Sequence, residues 1–140
     1  MKPEKELIEG KIDIIEKNLG VLEGMGKEKY DDFSSDYRNI LAAKHGLQEC
    51  IEACLDIANH IVSAMGYRKP EDYKDMFKVL VEQGIIGKKL FERLKKMAKF
   101  RNLLVHRYEE IETKRLHTIL KNDLGDISNY VKQILRFVRK

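Results

Sequence analysis

The sequence predicts an all-α fold, an up-and-down helical bundle of four long helices plus a short one. Apolar residues recur at spacings of three and four throughout the long segments, which is the period of a helix with one buried face. The alternation of apolar and polar residues that is typical of strands is absent, and glycine and proline occur mainly between the periodic segments. We expect the 140 residues to form a single domain, 1–140, because domains most often contain about 100–150 residues.

The first two long helices are predicted on either side of a polar loop. Pro3 opens the first helix, because proline is tolerated in a first turn, and Gly24 and Gly26 are predicted to end it. A serine of the pair 34–35 is the expected N-cap of the second helix, which is predicted to end near Gly66. The apolar stripes consist of Ile8, Ile12, Ile15, Leu19 and Leu22 in the first helix and of Ile40, Ala43, Leu47, Cys50, Cys54, Ile57 and Ile61 in the second.

The rest of the chain is predicted to form the short helix and two further long helices. The segment YKDMFKVLVEQG forms the short helix, which Gly84 closes. The next helix has its apolar positions at Leu90, Leu94, Met97 and Leu104. The last helix is predicted to begin after Glu112 with Thr113 as its cap, and to continue through Gly125 to the C-terminus as one amphipathic stripe.

Composition and charge narrow the class of protein. Hydrophobic residues make up 43% of the chain and charged residues 36%, which is enough apolar content for a folded core and argues against disorder. No run approaches the roughly 20 apolar residues of a membrane span, and the charged N-terminal segment lacks the apolar core of a signal peptide. We therefore expect a cytoplasmic protein with no membrane association. The formal net charge of +4 permits RNA as a partner without requiring it.

The cysteines and histidines match no known kind of metal site. Cys50 and Cys54 lie four residues apart on the second long helix, where their side chains share a face but do not point at each other for a disulfide. We expect reduced thiols in the core. The four histidines are scattered at spacings that fit no zinc motif, so we predict no metal and no other cofactor.

The segment RNLLVHRY, Arg101–Tyr108, places polar side chains where the helical pattern calls for an apolar helix. On a regular helix Arg101 and His106 point about 140° apart, so they cannot reach one atom together. Their convergence requires a bend within the segment, or a second copy of the motif from a symmetric partner. Asn102 lies four residues before His106, and its amide can hold the imidazole in one orientation. Arg101 and Tyr108 are seven residues apart and are predicted to share another helix face.

These residue types suit the cleavage of RNA without a metal ion. If a 2′-hydroxyl attacks the adjacent phosphorus, a histidine can transfer protons near neutral pH. An arginine can hold the phosphate oxygens and stabilise the negative charge that develops in the transition state, and a tyrosine hydroxyl can donate to the same phosphate. The alternative is that the arginine and the histidine are surface residues of a charged helix.

The motif and its surroundings resemble a known family. Arg101, four intervening residues, His106, one residue and Tyr108 match the R-x4-H-x-Y signature of HEPN-domain proteins, more narrowly of the HepT-like toxin family. Asn102 matches the polar residue that usually follows the arginine. The segment LQECIEACLDIANHIV is also similar to the long helix that precedes the motif in that family.

The resemblance implies a dimeric α-bundle ribonuclease whose Arg101 and His106 line a cleft at the subunit interface. Arg101 is then the phosphate-binding and transition-state residue, and His106 is the proton-transfer residue. The resemblance also implies a toxin that is neutralised by a small MntA-type nucleotidyltransferase antitoxin, which transfers AMP to Tyr108. Some HEPN proteins bind nucleotides or serve as scaffolds without cleaving RNA. A non-catalytic helical module that binds a nucleotide or the nucleotidyltransferase is therefore the alternative.

Basic residues precede the motif on the same predicted helix. Lys95, Lys96 and Lys99 lie within the segment KKLFERLKKMAKFR. They form either a solvated helix face or, beside a nuclease cleft, contacts to the RNA backbone. Both interpretations fit the sequence equally well.

Overall fold

Seven α-helices and no strands make up the structure, a computed structural model that describes residues 1–140. The all-α prediction is confirmed. In chain order the helices are α1 (Lys5–Lys27), α2 (Tyr30–Ser34), α3 (Tyr37–Ala64), α4 (Tyr73–Glu82), α5 (Lys88–His106), α6 (Thr113–Asn122) and α7 (Leu124–Val138). A single 3-10 turn, Tyr108–Glu110, lies between α5 and α6. No helix is both long enough and apolar enough to cross a bilayer.

Helix α3 lies at the centre of the bundle and contacts each of the other six helices. Its most extensive partner is α1, which runs antiparallel to it. Near the start of α1 the backbone N–H of Glu4 donates to the Nε2 atom of His60 at 2.8 Å, and further along Lys11 pairs with Asp56 at 3.0 Å. The contact with His60 satisfies one of the N–H groups that a helix start leaves without a backbone partner.

The buried apolar side chains form one continuous core. Tyr130 of α7 is fully buried within it, and its hydroxyl donates to the carbonyl of Cys54 at 2.9 Å. Its ring packs edge-on against Phe77, with the centroids 5.7 Å apart. Cys50 and Cys54 are free thiols, as predicted. Burial raises the pKa of Cys50 to about 12 and the pKa of Cys54 well above its usual value, so both thiols are protonated at neutral pH.

The predicted first loop contains the short helix α2, and it also differs from the prediction at both of its ends. Helix α1 continues through Gly24 and Gly26, so neither glycine ends it. A Cβ atom at Gly26 would lie 2.5 Å from the carbonyl oxygen of Leu120 in α6, so this glycine permits two helices to approach closely. The predicted serine cap is also wrong. Asp36 is the N-cap of α3, and its side chain accepts the N–H of Arg38 at 3.0 Å.

The predicted last helix is in fact two helices, α6 and α7. The break falls at Asp123, which has φ of −111° and ψ of −6°, and not at Gly125. Arg93 of α5 binds the break and the helix after it: its Nη2 donates to Asp123 at 3.0 Å and its Nε donates to Asp126 of α7 at 3.1 Å. The apolar stripe continues in both helices, which is why the break cannot be read from periodicity. Thr113 is the first residue of α6 and not its cap.

We predict that Gly26→Ala lowers the free energy of unfolding by about 1–3 kcal/mol, because the added methyl group would press on the backbone of α6. Gly24→Ala is the matched control in the same helix, because its Cβ would meet nothing within 4 Å. Alanine favours a helix over glycine by up to about 1 kcal/mol, so the control should be neutral or slightly stabilised. Urea unfolding measures both variants, and equal stabilities would contradict the close-contact role of Gly26.

Candidate functional site

The segment RNLLVHRY spans the end of a helix and does not lie within one. Helix α5 ends at His106, and Arg107 leaves the helical region with φ of −137° and ψ of 41°. The 3-10 turn that follows is closed by a hydrogen bond from the N–H of Glu110 to the carbonyl of Arg107 at 3.0 Å. Arg101 and Tyr108 therefore do not share a helix face, and that prediction was wrong.

Arg101 is held in place by two neighbours from other helices. Its Nε donates to Oε1 of Glu52 on α3 at 2.8 Å, and its guanidinium carbon lies 4.7 Å from the ring centroid of Tyr73 on α4. The side chain is only 16% exposed. Its Nη1 makes a long contact of 3.5 Å to Oδ1 of Asn102, whereas its Nη2 has no partner in the chain. The Nη donors thus remain for a ligand.

His106 is exposed at the last residue of α5. Its imidazole makes no hydrogen bond within the chain, so the contact predicted from Asn102 is not formed. The amide oxygen of Asn102 is directed to Arg101 instead. In this structure Asn102 is therefore a neighbour of the arginine and does not orient the imidazole.

Arg101 and His106 do not converge within one chain. Helix α5 is unbroken up to His106, so the bend that would bring the two side chains together is absent. Five residues of regular helix separate them by about 7.5 Å along the axis as well as by about 140° around it. Of the two routes to convergence considered from the sequence, only a second copy of the motif remains.

Tyr108 is half-buried in the 3-10 turn and is covered by a lysine. Nζ of Lys44 on α3 donates to the carbonyl of Tyr108 at 3.1 Å and lies 4.4 Å from the centroid of its ring. Lys44 is itself buried and forms no ion pair with a carboxylate. Burial, with a smaller contribution from Tyr37, raises the pKa of Tyr108 above its usual value, so the phenol is protonated at neutral pH.

The lysines selected from the sequence line one groove between α5 and the start of α4. Its volume is about 540 Å³. Lys95 pairs with a glutamate one turn earlier at 2.7 Å, whereas Lys96 and Lys99 are exposed and form no ion pair. The residues that line the groove are Asp72, Tyr73, Lys74, Glu92, Lys95, Lys96, Ala98, Lys99 and Asn102. The groove thus extends from two unpaired lysines to the residues in contact with Arg101.

Three residues of this site were not predicted from the sequence: Lys44, Glu52 and Tyr73. Lys44 had a detectable signal, because it occupies a position of the apolar stripe of α3 between Ile40 and Leu47, where a charge is unexpected. Glu52 and Tyr73 carry no comparable signal. Their importance follows only from the packing of α3 and α4 against the arginine.

We predict that Arg101→Ala lowers the free energy of unfolding by about 1–2 kcal/mol, because it leaves the half-buried carboxylate of Glu52 without its partner and uncovers the ring of Tyr73. His106→Ala is the control, because that side chain is exposed and makes no hydrogen bond. Its effect should stay within about 0.5 kcal/mol. Denaturant unfolding of both variants tests the difference, and an Arg101→Ala protein as stable as the control would show that the arginine is not held as described.

Comparison with known proteins points to one family. The sequence profile of the family described as Ribonuclease HepT-like matches residues 12–134. The chain is 32% identical over 118 residues to the mRNA nuclease HepT of Shewanella oneidensis, which covers 84% of this chain and 86% of that protein. It is 27% identical over 131 residues to the tRNA nuclease HepT of Aphanizomenon flos-aquae, which covers 94% of this chain and 89% of that protein.

The three-dimensional comparison agrees with the sequence comparison. The structure of the tri-AMPylated Shewanella oneidensis HEPN toxin in complex with MNT antitoxin matches with a TM-score of 0.85 at 28% identity, over 95% of this chain and 99% of the toxin chain. The residues matched by the family profile include the whole Arg101–Tyr108 segment. The chain therefore belongs to the Ribonuclease HepT-like family.

Proposed function

We propose that this protein is a metal-independent endoribonuclease toxin with a composite site at the interface of a homodimer. The proposal is carried by the contacts of Arg101. Glu52 accepts a hydrogen bond from the Nε edge of its guanidinium, the ring of Tyr73 covers one face, and Nη donors remain free. A guanidinium fixed in this way is prepared to bind a phosphate. Two relatives are named as an mRNA nuclease and a tRNA nuclease, which supports RNA as the substrate.

The proposed reaction is the attack of an RNA 2′-hydroxyl on the adjacent phosphorus. One imidazole removes the hydroxyl proton as the new O–P bond forms, and a second protonates the 5′-oxygen as the bond to the leaving nucleotide breaks. The products are a 2′,3′-cyclic phosphate and a free 5′-hydroxyl. His106 transfers the protons, and Arg101 stabilises the negative charge that accumulates on the phosphate oxygens in the transition state.

A homodimer supplies what one chain lacks. Each chain offers a single exposed imidazole beside the end of α5, whereas the reaction is served best by two proton-transfer groups. Apolar side chains of α5 and of the start of α3 are exposed, and we propose that a second copy covers them. Val105 is 39% exposed, and on α3 Tyr37 and Leu41 are 67% and 42% exposed. A two-fold axis here would bring both motifs into one groove.

We also propose that Lys96 and Lys99 bind the RNA backbone. Both are exposed and unpaired, and they line the groove that leads to Asn102 and Arg101. Lys95 is expected to contribute less, because it already pairs with a glutamate. Contacts of this kind raise affinity without reading sequence.

The proposed partner is an MntA-type nucleotidyltransferase antitoxin, which neutralises the protein by attaching AMP to Tyr108. The Shewanella oneidensis HEPN toxin is tri-AMPylated and in complex with MNT antitoxin, which supports this regulation. Tyr108 lies on the turn directly after His106, so the attached AMP would add bulk and negative charge where RNA must bind.

We propose a cytoplasmic location, because the RNA substrate and the ATP of the partner are found there. Recovery of the protein outside the cytoplasm on cell fractionation would contradict this.

We predict that the purified protein cleaves total cellular RNA in the presence of EDTA and leaves 2′,3′-cyclic phosphate ends. His106→Ala should reduce the rate by at least about 100-fold, because general acid–base catalysis contributes on this order. The matched control is His45→Ala, which removes an exposed histidine that pairs with Glu49 and should cleave at the wild-type rate. Gel electrophoresis of the RNA and mass spectrometry of the fragment ends measure these outcomes.

Three results would contradict the proposed mechanism, the activity or the dimer. Activity that disappears on chelation and returns with magnesium would overturn the metal-independent mechanism. Intact RNA after incubation with the wild-type protein would favour the non-catalytic module. Light scattering of the same preparation should give the mass of two chains, and an active monomer would contradict the composite site.

Incubation with an MntA-type transferase, ATP and magnesium is expected to attach AMP to Tyr108 and to abolish cleavage. Tyr108→Phe should stay unmodified and active under the same conditions, because it lacks the acceptor hydroxyl. Peptide mass spectrometry locates the modification, and the RNA assay reports its effect. If the transferase silences Tyr108→Phe as strongly as the wild type, complex formation and not modification is the cause.

A further inference from the structure

Lys44 is a buried cation whose polar contacts are all made to one residue. It occupies a position of the apolar stripe of α3, it is 8% exposed, and no carboxylate pairs with it. Its ammonium donates to the carbonyl of Tyr108 at 3.1 Å and lies 4.4 Å from the centroid of the same ring. A buried ammonium without a counter-ion is disfavoured relative to an apolar side chain. Packing alone therefore does not account for a lysine at this position.

A second lysine–tyrosine pair has a similar distance, but its lysine is not buried. Lys114 lies over the ring of Tyr30 at 4.3 Å from its centroid, nearly the same distance, but it is exposed, so water screens its charge. Lys44 is the only lysine or arginine that is buried. Its charge acts on Tyr108 through a medium of lower effective dielectric constant, where the same separation gives a stronger interaction.

We propose that Lys44 is a positioning residue for the transfer of a nucleotidyl group to Tyr108, a proposal that rests on the function given above. The hydrogen bond to the carbonyl holds the 3-10 turn against α3, so that the tyrosine is presented in one orientation. The ammonium over the ring stabilises the negative charge that the phenol acquires when it becomes a nucleophile. Both effects act through Tyr108, and neither requires Lys44 to touch the incoming nucleotide.

The step that Lys44 would assist is a displacement at the α-phosphorus of ATP, which the transferase supplies. A bond forms between Oη of Tyr108 and the α-phosphorus, the bond from that phosphorus to the bridging oxygen of the β-phosphate breaks, and pyrophosphate leaves. The phenol proton passes to water in the transferase site. Because burial holds the pKa of Tyr108 above its usual value, the charge that develops on the phenolic oxygen needs a nearby cation.

The kinetic test uses two variants of nearly the same size as lysine. Lys44→Gln keeps a donor for the carbonyl and removes the charge, whereas Lys44→Met removes both. With an MntA-type transferase, ATP and magnesium, we expect kcat for AMP transfer to fall about tenfold or more in both variants, with KM for ATP unchanged. Lys114→Met, which removes the exposed lysine over Tyr30, should behave as the wild type. Wild-type turnover by Lys44→Gln would overturn the role of the charge.

A second readout needs no transferase and reports the phenol directly. Tetranitromethane nitrates tyrosine through its phenolate, so the nitration of Tyr108 at pH 8, relative to that of Tyr67 in the same sample, follows the ease of deprotonation. We expect this ratio to fall several-fold in Lys44→Gln and Lys44→Met, and to stay unchanged in Lys114→Met. A ratio that is unchanged or increased in the Lys44 variants would overturn the proposal. If Lys44 only supported the fold, its loss would loosen the turn and increase access to the ring.

The two experiments separate this inference from the function on which it rests. If the transferase leaves wild-type Tyr108 unmodified while the nitration ratio falls as expected, the proposed acceptor role fails and the effect of Lys44 on the phenol stands. If AMP is attached to wild-type Tyr108 and the Lys44 variants match the wild type in both assays, the acceptor role stands and the inference about Lys44 fails.

Discussion

The burial of α3 is the constraint on which the rest of the structure depends. This helix contacts all six of the others, and 13 of its 28 residues are buried. A polar side chain on the faces of α3 that pack against other helices must find a partner in a neighbouring element or lose hydrogen bonds. Glu52 meets Arg101, Lys44 meets the turn that carries Tyr108, and the candidate site is thereby attached directly to the core.

The second support of the arginine depends on a helix start. Tyr73 is the first residue of α4, which Asp72 caps by accepting the N–H of Asp75 at 2.7 Å. Arg68 in the preceding connector binds Asp75 and holds the pKa of that carboxyl well below its usual value. These contacts are largely exposed and add little stability. Their effect is to fix the place where α4 begins, and hence the ring on which the guanidinium rests.

Periodicity predicted most of the helices, because each of them buries one face, and the glycines near the ends of α3 and α4 were recognised correctly: Gly66 and Gly84 both have positive φ. The motif residues Arg101, His106 and Tyr108 were also found as a group. The split at Asp123 and the turn after His106 were not, because local geometry ends these helices while the apolar pattern continues. The partners of the motif lie 49 and 64 residues away in the chain, a separation at which the sequence alone does not indicate which side chains meet.

The end of α5 at His106 has an electrostatic consequence. The last carbonyl groups of a helix carry the negative end of its dipole, and here they lie beside the imidazole at which the proposed substrate would react. The dipole disfavours a phosphate at such a place, whereas Arg101, Lys99 and Lys96 on earlier turns attract one. The dipole and these three cations of α5 therefore favour a phosphate before the motif over one at the end of the helix. An RNA strand would be held upstream of the reacting bond, and release of its counter-ions would make that hold weaken steeply as salt is added.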